Sequence, residues 1–336
     1  MRTTLVFGIL AAALLLLLPF GLTVGGVELT VSQIVEALRG GDDAVTRYIV
    51  VENRLPALIT AILSGAALSV AGLLMQTCFN NPLAGPSIMG ISSGSSLGVA
   101  LVMMFAGGIA GAWGNLAVIT GALAGAFVVL ILLTAVSAVL RSGDALLIAG
   151  ILIGYLASSV ISLLSFFSSA QGVHGYVMWG LGSFSTVGLD RLPLLAVLSL
   201  ALLAASALYI RSLNALLMGE RFASNVGISV RRVRTGLLAL SGALTAVVTA
   251  WCGPIGFIGL VVPQVARISL RSSNHAKVLP ATALCGAVAG LLCQIISVAP
   301  TLSEGGAIPL NAITPVLGVP VIIYVLLNRR RLLYFQ

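Results

Sequence analysis

Residues 54–98 read RLPALITAILSGAALSVAGLLMQTCFNNPLAGPSIMGISSGSSLG. From Leu55 to Phe79 there is no charged side chain. That run is long enough to cross a bilayer as an α-helix, which takes about 20 apolar residues. The stretch then breaks into FNNPLAGPSIMGISSG (79–94), with two asparagines, two prolines and three glycines, before apolar character resumes. Proline does not continue a helix, and unpaired backbone groups cannot face hydrocarbon. The stretch therefore reads as a span, a turn where the backbone meets water, and the start of a second span.

The rest of the chain extends that reading. Its 336 residues are 59% hydrophobic and 8% charged, with a mean hydropathy of +1.15. Soluble domains carry about 25% charged residues. Ten apolar segments stand out: 4–22, 55–79, 88–107, 113–140, 145–168, 191–210, 231–251, 255–270, 277–299 and 311–328. The segments at 255–270 and 311–328 are short or broken by proline. The predicted fold class is all-α, a polytopic membrane protein with about ten transmembrane helices in a single domain over 1–332. Met1 to Pro19 is expected to be an uncleaved first helix despite its likeness to a signal peptide. The closing LYFQ (333–336) reads as a protease-site scar. Small residues, including 38 glycines, suit close helix packing where lipid removes the hydrophobic drive between helices.

Charge orients the spans. With the N-terminus cytoplasmic, 13 basic residues fall inside and four, Arg39, Arg47, Arg54 and Arg191, fall outside. Seven of the nine acidic residues fall outside; Asp144 and Glu220 are the inner pair. The positive-inside rule thus supports ten spans with both termini cytoplasmic. It also accounts for the net charge of +8 without nucleic acid.

Two polar segments interrupt the spans. The outer segment, 24–53, contains Val31, Ile34, Val35 and Leu38 at helical spacing after Thr30, which predicts a short amphipathic helix. The inner segment, 211–234, reads RSLNALLMGERFASNVGISVRRVR, with helical periodicity broken at Gly219 and Gly227. It predicts two short cytoplasmic helices ahead of a basic anchor.

Several function classes lose support. The predicted spans hold essentially no ionisable residue away from their ends, whereas ion-coupled carriers usually place one there. His174 and His275 fall in predicted loops on opposite sides, each read as an ordinary loop residue, so no intramembrane pair could hold a haem. There is no GxxxxGK[ST] for a nucleotide. The four cysteines form no CxxC pair and read as small buried hydrophobes. If ATP drives this protein, another chain must hydrolyse it, and 211–234 is the docking surface on offer.

Six stretches together resemble the FecCD/BtuC-type permeases of type II ABC importers, which take up iron-siderophores, haem and cobalamin in bacteria. They are 54–98, close to RLPR…GxxLxxxGxxxQxxxxNPLAxPxxLGxxxGA; DALLIAGILIG (144–154); VMWGLGSFS (177–185); LNALLMGERFASNVGISVRRVR (213–234); GPIGFIGLVVPQVAR (253–267), close to GxIxFxGLxxPHxxR; and ITPVLGVPVIIYVLL (313–327). They run in order over nearly the whole chain.

The resemblance implies a homodimeric pore in the bacterial cytoplasmic (inner) membrane. Its partners would be two cytoplasmic ATPase subunits, a periplasmic or lipid-anchored substrate-binding protein, and membrane lipid. No cofactor would be bound by this chain, which would not itself be an enzyme; ATP and Mg would sit on the partner ATPase. Leu213, Asn214, Gly219, Glu220, Ala223 and Gly227 match the ATPase-coupling motif over 211–230. Asn81, Pro82 and Leu83, with Ala84, match the cytoplasmic gate, and the turn containing Ser142 and Gly143 corresponds to a second gate element. Arg54 matches a residue that docks the binding protein. The other outer arginines are absent: Ala57 replaces the second arginine of RLPR, and QIISVAP (294–300) lacks another. AIPLN (307–311) replaces ExPxG, and Gln264 stands for the usual histidine of the GLxxPH motif. Gln76, Gln171, His174 and Trp179 are candidate pore-lining residues; packing accounts for Trp179 and Met178 equally well. The competing expectation is a secondary transporter or channel that needs no ATPase.

Overall fold

The computed structural model describes residues 2–105, 112–140, 143–299 and 306–327. Among these, every regular element is helical. The chain opens with α1 (Arg2–Thr23). Next, α2 (Val31–Leu38) starts at a capping box in which the Thr30 hydroxyl accepts the Gln33 N–H and the Gln33 side chain accepts the Thr30 N–H. This satisfies two of the donors that a helix start leaves orphaned. Next comes α3 (Ala44–Arg47), capped by Asp43. The side-chain and backbone donors of Thr46 hold the Asp43 carboxyl below the usual carboxylate range. A π-helical stretch, Tyr48–Arg54, then leads without a break into α4 (Leu55–Cys78). The sequence placed residues 44–54 outside any helix. The polar TRY and ENR triplets hid the fact that the helix starts before the apolar run.

The remaining helices are α5 (Ile91–Phe105), α6 (Ala112–Val139), α7 (Gly143–Phe167), α8 (Ala170–Gly180), α9 (Leu192–Ala207), α10 (Ile210–Leu217), α11 (Glu220–Asn225), α12 (Val230–Cys252), α13 (Ile258–Leu270), α14 (His275–Ser297) and α15 (Leu310–Leu327). Among the described residues, six helices have the length and apolar character to cross a membrane; a seventh span results if α9 and α10, bent by 52° at their junction, count as one. The other three of the ten apolar segments are the shorter helices α5, α13 and α15. The ten expected segments are thus all helical, six or seven of them at full spanning length.

The short helices have local causes. Residues 253–256 turn instead of continuing a helix, with Gly253 at φ 78° and Phe257 at φ 64°. Asn311, at the start of α15, stitches this turn: its side-chain N–H groups donate to the carbonyls of Gly180 and Pro254, each at 2.8 Å, and its oxygen accepts the Gly256 N–H. Irregular backbone within an apolar bundle is tolerated where protein groups satisfy it.

At the centre stands α4, buried along nearly its whole length between α9, α12, α13 and α14. Its glycines set the crossings. A methyl group on Gly65 would strike the Gly286 backbone, and one on Gly72 would strike the Gly259 carbonyl. The same device joins α5 to α6 through Gly94, Gly98, Gly121 and Gly125. Close backbone approach compensates for the missing hydrophobic drive in lipid. By contrast, α1, α6, α7 and α9 turn leucine, isoleucine and phenylalanine outward.

Candidate gate, coupling helices and cavity

The break after α4 is an ordered cap. Asn80 takes a left-handed conformation at φ 46°. Its N–H donates to the Thr77 carbonyl, and the Asn81 N–H donates to the Gln76 carbonyl at 3.0 Å. This is the paired bonding of a Schellman cap, in which asparagine substitutes for the usual glycine. The Asn81 side-chain oxygen then accepts the Leu83 N–H at 2.9 Å, an Asx turn that leads into Pro82–Leu83. The two asparagines therefore do different work. Ala84, Gly85 and Pro86 are buried, while Leu83 remains exposed at the surface. Phe79 packs beside Gly143 at the start of α7. Phe79, just ahead of the NPLA turn, thus lies near Gly143 of the second expected gate element; Ser142 lies outside the described residues.

In the segment expected to be cytoplasmic, α10 and α11 meet at Gly219, which has φ 100°, and Gly227, with φ 84°, follows α11. Both glycines have open space around them, so it is the backbone conformation that calls for glycine. Of the residues matched to the coupling motif, Gly219, Glu220 and Gly227 face outward, whereas Leu213 and Ala223 are fully buried. Those last two pack the short helices onto the membrane domain, which corrects their expected place at a partner's surface. Glu220 is ion-paired with Arg234 of α12, bracing α11. The residues presented outward are Met218, Phe222 and Val226, with Phe222 46% exposed. Reading the motif letters missed them; the i, i+4, i+8 apolar spacing was the available signal.

The described helices enclose a cavity of about 320 Å³ between α5, α7, α8, the 254–256 turn and α15. It is lined by Ser87, Ser92, Ser93, Ser96, Ser158, Tyr176 and Asn311, with Ile161 and residues 254–256. Every polar group there is a hydroxyl, an amide or backbone. None of the four candidate pore residues lines this cavity. Gln76 is buried within the protomer, donating to the Leu260 carbonyl at 2.9 Å and accepting from Gln264 at 2.7 Å, so it joins α4 to α13 instead. Gln264, at the position of the usual histidine, thus has a structural partner. Gln171 and His174 lie on the exposed face of α8. Trp179 is half-buried, stacked obliquely on Tyr176 with ring centres 6.4 Å apart.

Arg54 is only 8% exposed. Its guanidinium donates to the carbonyls of Leu22 at 2.6 Å and Val27 at 2.5 Å, tying the end of α1 and the following turn to the top of α4. In this arrangement it acts as an internal tie and is not presented as a docking cation. His275 is also relocated. It was expected in a loop, yet it is the first residue of α14 and fully buried.

A bundle of long apolar helices with a broken-helix turn and a pair of short helices at one end is the architecture of a multi-span membrane permease. Residues 13–328 match the FecCD transport family, and the chain belongs to that family. It is 33% identical over 282 residues to the vitamin B12 import system permease protein BtuC of Citrobacter koseri, covering 83% of this chain and 82% of that one. It is also 33% identical to the hemin transport system permease protein HmuU of Yersinia pestis, covering 82% of each chain. A solved structure of a metal-chelate type ABC transporter in an inward-facing conformation superposes with a TM-score of 0.84 at 29% identity, over 97% of this chain and 99% of that one.

Proposed function

We propose that two copies of this chain form the pore of an importer in the bacterial cytoplasmic membrane and move a bulky, oxygen- and amide-rich metal chelate inward by alternating access. The observation that carries this reading is the serine-lined cavity. Polar lining open toward hydrocarbon would be costly. A second copy set against α7, α8 and α15 would close two such cavities into one path. Hydroxyls and amides can hydrogen-bond a chelate whose metal charge is already neutralised, without a fixed charge that would trap it. A haem would bring carboxylates that meet no cation among these lining residues. Cobalamin or an iron-siderophore therefore suits the lining better than haem.

Two cytoplasmic ATPases would bind the outward face of α10 and α11, and ATP with Mg would act there. A substrate-binding protein would deliver cargo from outside, using contacts other than the buried Arg54. The termini would both be cytoplasmic, in keeping with Arg2, which donates to the Ser269 carbonyl near the inner end of α13.

The test is reconstitution in liposomes with the cognate ATPase and binding protein, offering cyanocobalamin, a ferric hydroxamate and hemin separately. ATP-dependent uptake of cyanocobalamin or the hydroxamate, and not hemin, is expected. Uptake by the permease alone under an ion gradient would establish the secondary-transporter reading instead.

A further inference from the structure

We propose that His275 is a positioning residue that passes motion of the ATPase-facing helix α10 to the gate turn, through a partly buried hydrogen-bond chain ending on Thr77. The inference rests on the importer reading above.

The chain begins at Asn214 on α10. Its side-chain oxygen accepts the backbone N–H of His275 at 2.8 Å and lies 3.0 Å from His275 Nδ1. Its amide nitrogen donates to Asn274 Oδ1 at 3.1 Å, and that oxygen also caps α14 by accepting the Ala276 N–H. On the far side of the ring, His275 Nε2 lies 2.9 Å from Thr77 Oγ1. Thr77 Oγ1 in turn accepts from Arg267 of α13 at 3.0 Å.

These partners fix the direction of every bond. The Asn214 atom facing the ring is an acceptor, because it already takes a backbone N–H. Nδ1 therefore carries the ring proton, and Nε2 is left as an acceptor. The Thr77 hydroxyl is then the donor to Nε2, while its lone pair takes the Arg267 N–H. Each member has one arrangement that satisfies all its partners. A displacement of Asn214 must carry the ring along or leave its hydrogen-bond partners unpaired.

The chain ends at the gate. Thr77 is the second-last residue of α4, and its own carbonyl accepts the Asn80 N–H of the cap. Phe79, two residues on, lies so that a Cβ on Gly143 would be 3.4 Å from its ring. The bonded chain thus runs from α10 through the head of α14 to the cap that opens into the NPLA turn. Neither Thr77 nor His275 belongs to the residues matched to the gate or coupling motifs.

The test uses the assembled permease and ATPase in nanodiscs, with a Leu83→Cys reporter cross-linked across the dimer with and without ATP. Thr77→Val keeps the side-chain shape and removes the hydroxyl; Thr77→Ser keeps the hydroxyl. Expected is an ATP-dependent change in cross-linking in the parent and in Thr77→Ser. In Thr77→Val that change should fall about tenfold, with folded yield and basal ATPase rate retained. Asn214→Leu, breaking the chain at its other end, should decouple the reporter as Thr77→Val does. An undiminished ATP response in Thr77→Val and Asn214→Leu overturns the relay. Loss of folded protein in both assigns the chain to stability alone and overturns it too. A parent reporter that ignores ATP overturns the gate reading and the relay with it.

Discussion

At the residue scale, the asparagine pair that opens the gate turn shows how side-chain chemistry fixes a backbone break. Asn80 occupies the left-handed region, which costs an ordinary L-residue about 1 kcal/mol more than glycine. Asn80→Gly should therefore leave the apparent Tm in detergent unchanged within error, and Asn80→Ala should lower stability by about 1 kcal/mol. Equal melting of the two variants would contradict the cap. Asn81 instead works through its side-chain oxygen on the Leu83 N–H. Nothing in the letters NN separates these duties, because they depend on which peptide turns left-handed. Arg54 carries the same lesson. Its charge drew attention in the sequence, but burial and two carbonyl partners decide its role.

At the element scale, glycines determine how near the helices come. Gly72 faces the Gly259 carbonyl with no room for a methyl group, whereas Gly8 on α1 has open space. Gly72→Ala should cost at least about 1–3 kcal/mol, as overpacked cores do, and reduce the monodisperse yield. Gly8→Ala should be neutral or slightly stabilising, since alanine is the better helix former. Similar yields for both would mean that the α4–α13 crossing is looser than described. At the ATPase-docking face proposed above, Phe222 presents an apolar side chain on α11. Phe222→Asp should leave the permease folded and abolish co-purification of the ATPase. Retained co-purification would move the docking surface off α11.

At the scale of the whole molecule, the dimer proposed above would cover the half-open polar cavity with a second copy. Tyr155 on α7 is 69% exposed, on a helix that also lines the cavity. Tyr155→Cys should give a disulfide-linked dimer on mild oxidation in membranes. The background should be low, because Cys78, Cys252, Cys285 and Cys293 are all buried. A chain that stays monomeric under oxidation, with the new thiol reactive to a soluble maleimide, would place the copy-to-copy contact elsewhere.

The sequence by itself determined the membrane class, the helical composition, the positions of the ten apolar segments and the family. Apolar run length, proline breaks and ordered motifs are local properties and survive in one dimension. It also placed the two short inner helices, since their periodicity and glycine punctuation are local too. Only the tertiary structure decided which of those segments are full-length helices, because 253–257 turns early and Asn311, far along the chain, satisfies the turn. It also decided which motif residues face inward: Leu213, Ala223 and Gln76 are buried by neighbours that are distant in sequence. His275 looked like a loop histidine because its partners, Thr77 and Asn214, lie 198 and 61 positions away. Such contacts exist only once α4, α10 and α14 are packed together, so no local pattern in the sequence could reveal them.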